Sequence, residues 1–144
     1  MALIADSGGV YGLYDAKDRN HQALEAAFDR EQGPVIVSTA ILGEIDYLLR
    51  ARLSTPAALH FLSDLQQGVF ALEPFTSADL TRCRAILEQY RDLDLGLCDA
   101  AVMATAERLG TDRILTVDER HFRAVCTTKG LPFTLLPADE KARH

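Results

Sequence analysis

Cysteine is scarce in this sequence, and its spacing excludes two classes of small protein. The 144 residues contain three cysteines, Cys83, Cys98 and Cys126, and no C-x-x-C pair. An odd number of widely spaced cysteines indicates neither a disulfide framework nor a zinc site. We therefore expect small, buried thiols in a reducing compartment, the cytoplasm. The four histidines also lack the spacing of metal ligands; they are His21, His60, His121 and His144.

Long apolar runs are absent as well. The N-terminal stretch MALIADSGG has neither a basic region nor a long apolar segment, so we expect no signal peptide. No run elsewhere is long enough to cross a membrane. The composition, 48% apolar and 25% charged, is typical of a globular fold. At this length we expect one domain, covering residues 1–144.

The chain also has no excess of positive charge. Its formal net charge is −6 at pH 7. This charge argues against binding of nucleic acid through bulk electrostatic attraction. It leaves open an enzyme that contacts phosphates through bound cations.

Short apolar, β-branched runs alternate with segments of helical periodicity along the whole chain. The predicted strands cover residues 2–6, 34–38, 69–75, 113–117 and 131–137. The predicted helices cover residues 21–33, 39–53, 54–68, 76–90 and 95–110. The Ser-Gly-Gly sequence after the first strand predicts a turn. Strands that alternate with helices predict an α/β fold, a parallel sheet with helices on both faces.

Four acidic residues fall at one edge of this predicted sheet. Asp6 ends the first strand, and Asp118 follows the fourth. Glu44 and Asp99 lie in the first turns of two helices. Parallel sheets bind ligands beyond the carboxyl ends of their strands, so these side chains are expected to converge. No lysine or arginine lies within two positions of Asp6, Glu44 or Asp99.

Carboxylates that converge without a basic partner repel one another, unless a divalent cation neutralises them. Oxygen ligands favour Mg²⁺ or Mn²⁺ over zinc, and such ions support phosphodiester hydrolysis. We expect Asp6 and Asp99 to ligate metal directly and Asp118 to complete the site. Glu44 is expected to ligate through water or to orient the nucleophile. Two hydroxyl side chains are expected to donate hydrogen bonds to these carboxylates: Ser7 and Thr116.

Each acid also has a purely structural explanation. Asp99 fits a first-turn acid that complements the helix dipole. Asp6 fits a turn residue, and Asp118 fits the cap of a short helical turn. Glu44 is the hardest to explain in this way. It lies between Ile41 and Ile45 near the apolar face of its helix, where an unpaired carboxylate is costly. Four such coincidences at one edge favour a shared site.

The segments that carry these acids resemble the PIN-domain ribonucleases, and more narrowly the VapC toxins of bacterial VapBC toxin–antitoxin pairs. Two of the matching segments are IADSGGVYGLYD, which contains Asp6, and VSTAILGEIDYLL, which contains Glu44. The other two are LGLCDAAVMATAERLG, with Asp99, and RILTVDERHFRAV, with Asp118. Each motif is short, but their order, their spacing and the chain length together are specific. One departure is the pair Gly8-Gly9, where bulkier residues are common; it is expected to loosen the turn that holds Asp6.

The resemblance implies a three-layer α/β/α fold with a five-stranded parallel sheet. It implies a Mg²⁺- or Mn²⁺-dependent endoribonuclease that cuts a structured RNA such as tRNA or rRNA. It also implies a homodimer and a cognate VapB-like antitoxin. The alternative is a PIN-like binding or scaffold module without catalytic activity. Two other phosphate enzymes fail on particular residues: a dehalogenase-like phosphatase needs an aspartate at position 8, and a receiver domain needs one after the third strand.

Two groups of residues concern partners. Leu59, Phe61 and Leu62 belong either to the core or to a groove for a dimer or antitoxin, and the usual burial of large apolar side chains favours the core. RNA contacts are expected from arginines around the pocket. The candidates are Arg50, Arg52, Arg82, Arg84, Arg120 and Arg123.

Overall fold

A five-stranded, all-parallel sheet forms the centre of the computed structural model, which describes residues 1–140. The strands are β1 Leu3–Ala5, β2 Val35–Ser38, β3 Ala71–Glu73, β4 Arg113–Leu115 and β5 Thr134–Leu136. Their order across the sheet is β3-β2-β1-β4-β5. All four strand pairs are parallel, so the predicted parallel sheet is confirmed.

Among residues 1–140, seven α-helices pack around the sheet. They are α1 Ser7–Tyr14, α2 His21–Arg30, α3 Leu42–Arg52, α4 Thr55–Gln66, α5 Ser77–Gln89, α6 Leu97–Arg108 and α7 Glu119–Phe122. A short 3-10 turn, Thr39–Ile41, leads into α3. Helix α1 packs against α2 and α3, α3 packs against α4, and α5 packs against α6. Every residue of β1 and β2 is buried, as expected when helices cover both faces of a parallel sheet.

Helix α6 is apolar on nearly every side because it is enclosed. It lies against β1, β2 and β4 and packs along α5. Its residues from Ala100 to Ala106 are all buried. Four of those seven are alanines, which allow the neighbouring backbones to approach closely. The helix therefore carries its first turn, with Asp99, to the carboxyl edge of the sheet.

The predicted turn after β1 is wrong, because helix α1 begins directly at Ser7. Gly9 is required here by packing and not by a turn. A Cβ at Gly9 would lie 2.4 Å from the carbonyl oxygen of Leu115, the last residue of β4. The expected loosening at Gly8-Gly9 is therefore also wrong, since Gly9 lets α1 lie tightly on the end of β4.

The assignment of the α4 side chains to the core is partly wrong. Phe61 is fully buried and packs edge-on against Phe70. Leu59 and Leu62 are 54% and 41% exposed, because no other described element covers that side of α4. A helix pattern with apolar residues on two sides does not reveal which side is covered.

The three thiols differ in burial, which corrects the expectation that all are buried. Cys83 is buried, Cys98 is half-buried and Cys126 is exposed. Every helix within residues 1–140 is too short or too polar to cross a membrane. Residues 141–144, which include His144 and the end of the predicted domain, lie outside the described residues. That the chain is one domain stays a prediction.

Candidate metal centre

The order of the strands creates a crevice at one edge of the sheet. The chain runs from β1 through β2 to β3 on one side of the sheet, and then crosses to β4 and β5 on the other side of β1. In sheets of this kind, ligands bind beyond the carboxyl ends of the strands at such a switch point. Asp6 follows β1 and Thr116 follows β4, so both lie at this point.

Asp6 is nearly enclosed, with only 4% of its surface exposed. Its backbone N–H donates to the carbonyl oxygen of Leu115 over 2.9 Å, which extends the pairing between β1 and β4. The Thr116 hydroxyl donates to Oδ2 of Asp6 over 2.8 Å. The same hydroxyl accepts the backbone N–H of Asp118 over 2.9 Å. Thr116 thus connects Asp6 to the segment that carries Asp118.

Asp99 lies in the first turn of α6, where its Oδ2 accepts the backbone N–H of Gly96 over 3.0 Å. This contact stabilises the start of the helix, as the structural explanation requires. It occupies only one of the two carboxylate oxygens. The capping role and a role in the crevice are therefore compatible.

Asp118 caps helix α7 and pairs with a histidine. Its Oδ1 accepts the backbone N–H of His121 over 3.1 Å. Its Oδ2 lies 2.7 Å from Nδ1 of His121. Asp118 therefore caps a short helix, as the structural explanation predicts, and also lies at the carboxyl edge of the sheet.

Glu44 lies on the third residue of α3 and is exposed. Glu44 is therefore not buried among apolar residues, and the cost expected from burying its carboxylate does not arise. Its Oε1 accepts a hydrogen bond of 2.5 Å from the hydroxyl of Ser7, at the start of α1. Because Ser7 directly follows Asp6, this bond fixes Glu44 at the same edge.

The cluster carries an excess of negative charge. Burial, opposed by the hydrogen bond from Thr116 and reinforced by the charges of Asp99 and Asp118, raises the pKa of Asp6 to about 6. Burial likewise raises the pKa of Asp99. Within residues 1–140, no lysine or arginine forms an ion pair with Asp6, Glu44, Asp99 or Asp118.

His121 is the residue that the sequence reasoning missed. One donor atom from each of Asp99, Asp118 and His121 lies within 4.8 Å of the other two, the spacing of a group that could hold a metal ion. Asp6 and Glu44 are not in this group of three, but their charges act on its members. The three-residue spacing from Asp118 to His121 could have indicated this contact. An N-cap side chain accepts the backbone N–H of the residue three positions later, which brings the two residues together.

Other acids near these segments have partners or face solvent. Asp92 and Asp94 are exposed, as expected for a solvated loop. Asp46 pairs with Arg50 at 3.0 Å. Asp15 accepts the hydroxyl of Tyr11 over 2.6 Å. The thiol of Cys98, beside Asp99 in sequence, has its pKa raised to about 12 by burial and by the charge of Glu44.

The candidate arginines fall into three sets. Three of them are held by ion pairs: Arg50, Arg82 and Arg123. Arg52 lies over the ring of Tyr11, 5.7 Å from its centre. Arg84 and Arg120 are exposed and form no ion pair with the residues that the structure describes. Arg120 precedes His121, so it lies beside the cluster.

A parallel sheet in the order 3-2-1-4-5, with an acid cluster at its switch point, is an α/β architecture of the PIN-like class. The sequence profile of the PIN domain matches residues 5–127, and the chain belongs to the PIN-domain family. Within it, the chain is similar to Ribonuclease VapC26 of Mycobacterium tuberculosis, with 32% identity over 135 residues. That alignment covers 94% of this chain and 100% of the relative. The resemblance to VapC-type PIN-domain ribonucleases is confirmed.

Two solved structures share the fold. The first is the crystal structure of VapC20 from Mycobacterium tuberculosis, a toxin that cleaves the sarcin–ricin loop. It superposes with a TM-score of 0.77 at 20% identity, over 82% of this chain and 91% of that one. The second is VapBC2 from Rickettsia felis bound to a DNA fragment from its promoter, with a TM-score of 0.66 and 15% identity. It covers 94% of this chain and 98% of that one, so the predicted α/β PIN-like fold is confirmed.

Proposed function

We propose that this protein is a Mg²⁺- or Mn²⁺-dependent endoribonuclease that hydrolyses RNA phosphodiester bonds at Asp6, Glu44, Asp99 and Asp118. One observation carries the proposal. These four acids come from distant parts of the chain and meet at the switch point of the sheet, where no lysine or arginine of the described residues pairs with them. A structural role alone does not explain why the excess charge is kept.

The donor set fits a hard divalent cation. Carboxylate oxygens dominate the crevice, and the pKa of Asp6 is raised by burial and by its acidic neighbours. A cation bound there would favour the ionised form and relieve the repulsion. Oxygen donors suit Mg²⁺ and Mn²⁺ better than softer metals.

The contacts suggest different roles for the four acids. We assign direct ligation to Asp6 and Asp99, and Asp118 completes or widens the site. Glu44, being exposed, ligates through water or orients the nucleophile. The two hydroxyl groups, on Ser7 and Thr116, keep these carboxylates in place.

A bound divalent cation supplies an activated water and stabilises the oxygen that leaves the phosphodiester. The protein's own part is to hold its carboxylates ionised and oriented at the crevice. Thr116 restrains one oxygen of Asp6, and the N–H of Gly96 restrains one oxygen of Asp99.

RNA contact is assigned to arginines that form no ion pair with any residue from 1 to 140. Arg120 lies beside His121 and is the best placed to meet a phosphate at the cluster. Arg52 and Arg84 are further candidates, whereas Arg50, Arg82 and Arg123 are engaged with acids. The net charge of −6 makes such local contacts more important than bulk attraction.

We propose an RNA of the tRNA or rRNA class as substrate and a VapB-like antitoxin as partner. The sarcin–ricin loop named for VapC20 and the VapBC2 complex support this by likeness. Tyr47, Leu59 and Leu62 are exposed on the adjacent helices α3 and α4 and offer an apolar surface for the antitoxin. We also propose a homodimer, located in the cytoplasm with its substrate.

The first experiment is calorimetric titration of Mn²⁺ into the wild type and into Asp99→Asn, with RNA cleavage measured in the same buffer. We expect the wild type to bind and cleave, and the variant to lose both while its circular dichroism is unchanged. Asp92→Asn is the matched control, since it removes an exposed acid of the same charge. Mn²⁺ binding that is absent, or unchanged in Asp99→Asn, would instead support the non-catalytic binding module.

A further inference from the structure

Both oxygens of Asp118 are held by a single residue. The backbone N–H of His121 donates to Oδ1 over 3.1 Å, and the ring Nδ1 lies 2.7 Å from Oδ2. The first contact belongs to any N-cap, and every residue type except proline supplies it. The second contact needs the histidine ring, so the identity of residue 121 matters only through that ring.

The contact with Asp118 determines where the ring carries its hydrogen. A carboxylate oxygen only accepts, so Nδ1 must donate to it. Nδ1 is thereby occupied and has no lone pair for a metal ion. The opposite atom, Nε2, is enclosed and has no hydrogen-bond partner among residues 1–140. A buried polar atom without a partner is destabilising.

The His121 ring therefore lies beside Asp99 and Asp118 although burial leaves its Nε2 without a hydrogen bond. The side-chain hydrogen bond that the ring does form is the one from Nδ1 to Oδ2 of Asp118. Hydrogen bonds of this kind fix the rotamer of a carboxylate, and partners of metal-binding groups typically change metal affinity by about 10–100-fold.

We propose that His121 is a positioning residue for the metal centre, which acts by fixing the carboxylate of Asp118 toward Asp99 through its Nδ1–H. This inference rests on the proposed function, since it assigns Asp118 to the metal site. It adds an imidazole N–H donor from α7 to a centre otherwise built from acids and hydroxyl groups.

The test compares variants that separate the shape of the ring from its hydrogen bond. His121→Phe keeps a ring of similar size but has no donor, and His121→Asn keeps an N–H donor near the position of Nδ1. We expect the phenylalanine variant to bind Mn²⁺ at least about tenfold more weakly in calorimetry. We expect the asparagine variant to remain within about threefold of the wild type, because the donor is retained.

A double-mutant cycle shows whether His121 acts through Asp118. In the background of Asp118→Asn, we expect His121→Phe to produce no further loss of Mn²⁺ affinity. His60→Ala is the control, because His60 is 67% exposed on α4 and should leave binding unchanged. If His121→Phe does not fold, as judged by circular dichroism, His121→Ala lacks the same donor and replaces it.

Pulsed electron paramagnetic resonance of the Mn²⁺ complex gives an independent readout. We expect no strong ¹⁴N coupling, since the ring acts on Asp118 and not on the ion. A strong coupling, together with failure of His121→Asn to bind, would make His121 a direct ligand and overturn the inference. Unchanged affinity in His121→Phe would overturn it too, while leaving the proposed function intact. Absence of Mn²⁺ binding to the wild type would overturn both.

Discussion

Replacing Asp6 by asparagine removes one buried charge and keeps the shape of the side chain. The pKa of Asp6 is raised from 3.8 to about 6, mainly by burial. The folded protein therefore holds this proton more tightly than the unfolded chain does. Ionisation of Asp6 opposes folding, and Asp6→Asn is expected to stabilise the metal-free protein at neutral pH.

The change in the stability of the wild type with pH follows from the two pKa values of Asp6, 3.8 in the unfolded chain and about 6 in the folded protein. Below pH 3.8 the carboxyl is protonated in both states, and its ionisation has no effect on stability. Between pH 3.8 and about 6 the unfolded chain loses its proton first, so the stability of the wild type falls. Above about pH 6 the full penalty is present. The advantage of Asp6→Asn should grow through this window and then level off.

The size of the effect follows from the shift in proton affinity. A rise from 3.8 to about 6 corresponds to about 3 kcal/mol in the free energy of unfolding. For a domain of this size, that is roughly 6–12 °C in Tm. The asparagine carbonyl still accepts from the Thr116 hydroxyl. Its amide N–H groups replace a carboxylate oxygen in surroundings made negative by Asp99 and Asp118.

The assay is urea unfolding from pH 4 to pH 8 in buffer containing a chelator, for the wild type and Asp6→Asn. Asp92→Asn is the charge-matched control, because Asp92 is exposed and its replacement should change stability little. Added Mn²⁺ should raise the Tm of the wild type but not that of Asp6→Asn, since ligand binding stabilises only the folded state. If Asp6→Asn is less stable at pH 8, or if its effect does not vary with pH, the electrostatic account of the cluster is refuted.

Three other predictions concern packing, thiols and substrate. Gly9→Ala should destabilise the fold by at least about 1–3 kcal/mol, because its Cβ would press on the end of β4; Gly43→Ala, with open space around it, should be neutral or stabilising by up to about 1 kcal/mol. Equal urea midpoints for the two variants would contradict this. Native protein at pH 8 should react rapidly with Ellman's reagent at the exposed Cys126, whereas Cys98, with a pKa of about 12, should react only on unfolding; fast labelling of Cys98 in peptide mapping would refute it. Arg120→Ala should raise KM for RNA about tenfold with Mn²⁺ affinity unchanged, and an unaltered KM would remove Arg120 from the substrate surface.

Much of the architecture followed from the sequence because parallel, buried strands and amphipathic helices have distinct patterns. Runs such as PVIVS (34–38) are continuously apolar since both faces of the sheet are covered. The order of strands and helices then placed Asp6 and Asp118 at one edge. The sheet order confirms the α/β PIN-like fold, and the matches to the PIN domain and to a VapC ribonuclease confirm the family. The metal-binding and catalytic roles of the four acids stay predictions.

Local sequence patterns gave wrong predictions of secondary structure and burial where contacts with residues distant in the sequence determine them. Gly9 has the signature of a turn, and only the carbonyl of Leu115, more than a hundred residues away, shows why a helix needs glycine there. Leu59 and Leu62 follow helical periodicity, but periodicity does not say whether anything covers their side of α4.

The site shows the same division between sequence and structure. Residue types and spacing on the sequence were enough to select Asp6, Glu44, Asp99 and Asp118, because acids at strand ends and helix starts share one edge of any parallel sheet. The raised pKa of Asp6 and the contact of His121 with Asp118 arise only when separate segments are brought together. Burial and hydrogen bonding depend on distances between atoms, and those distances are set by tertiary packing.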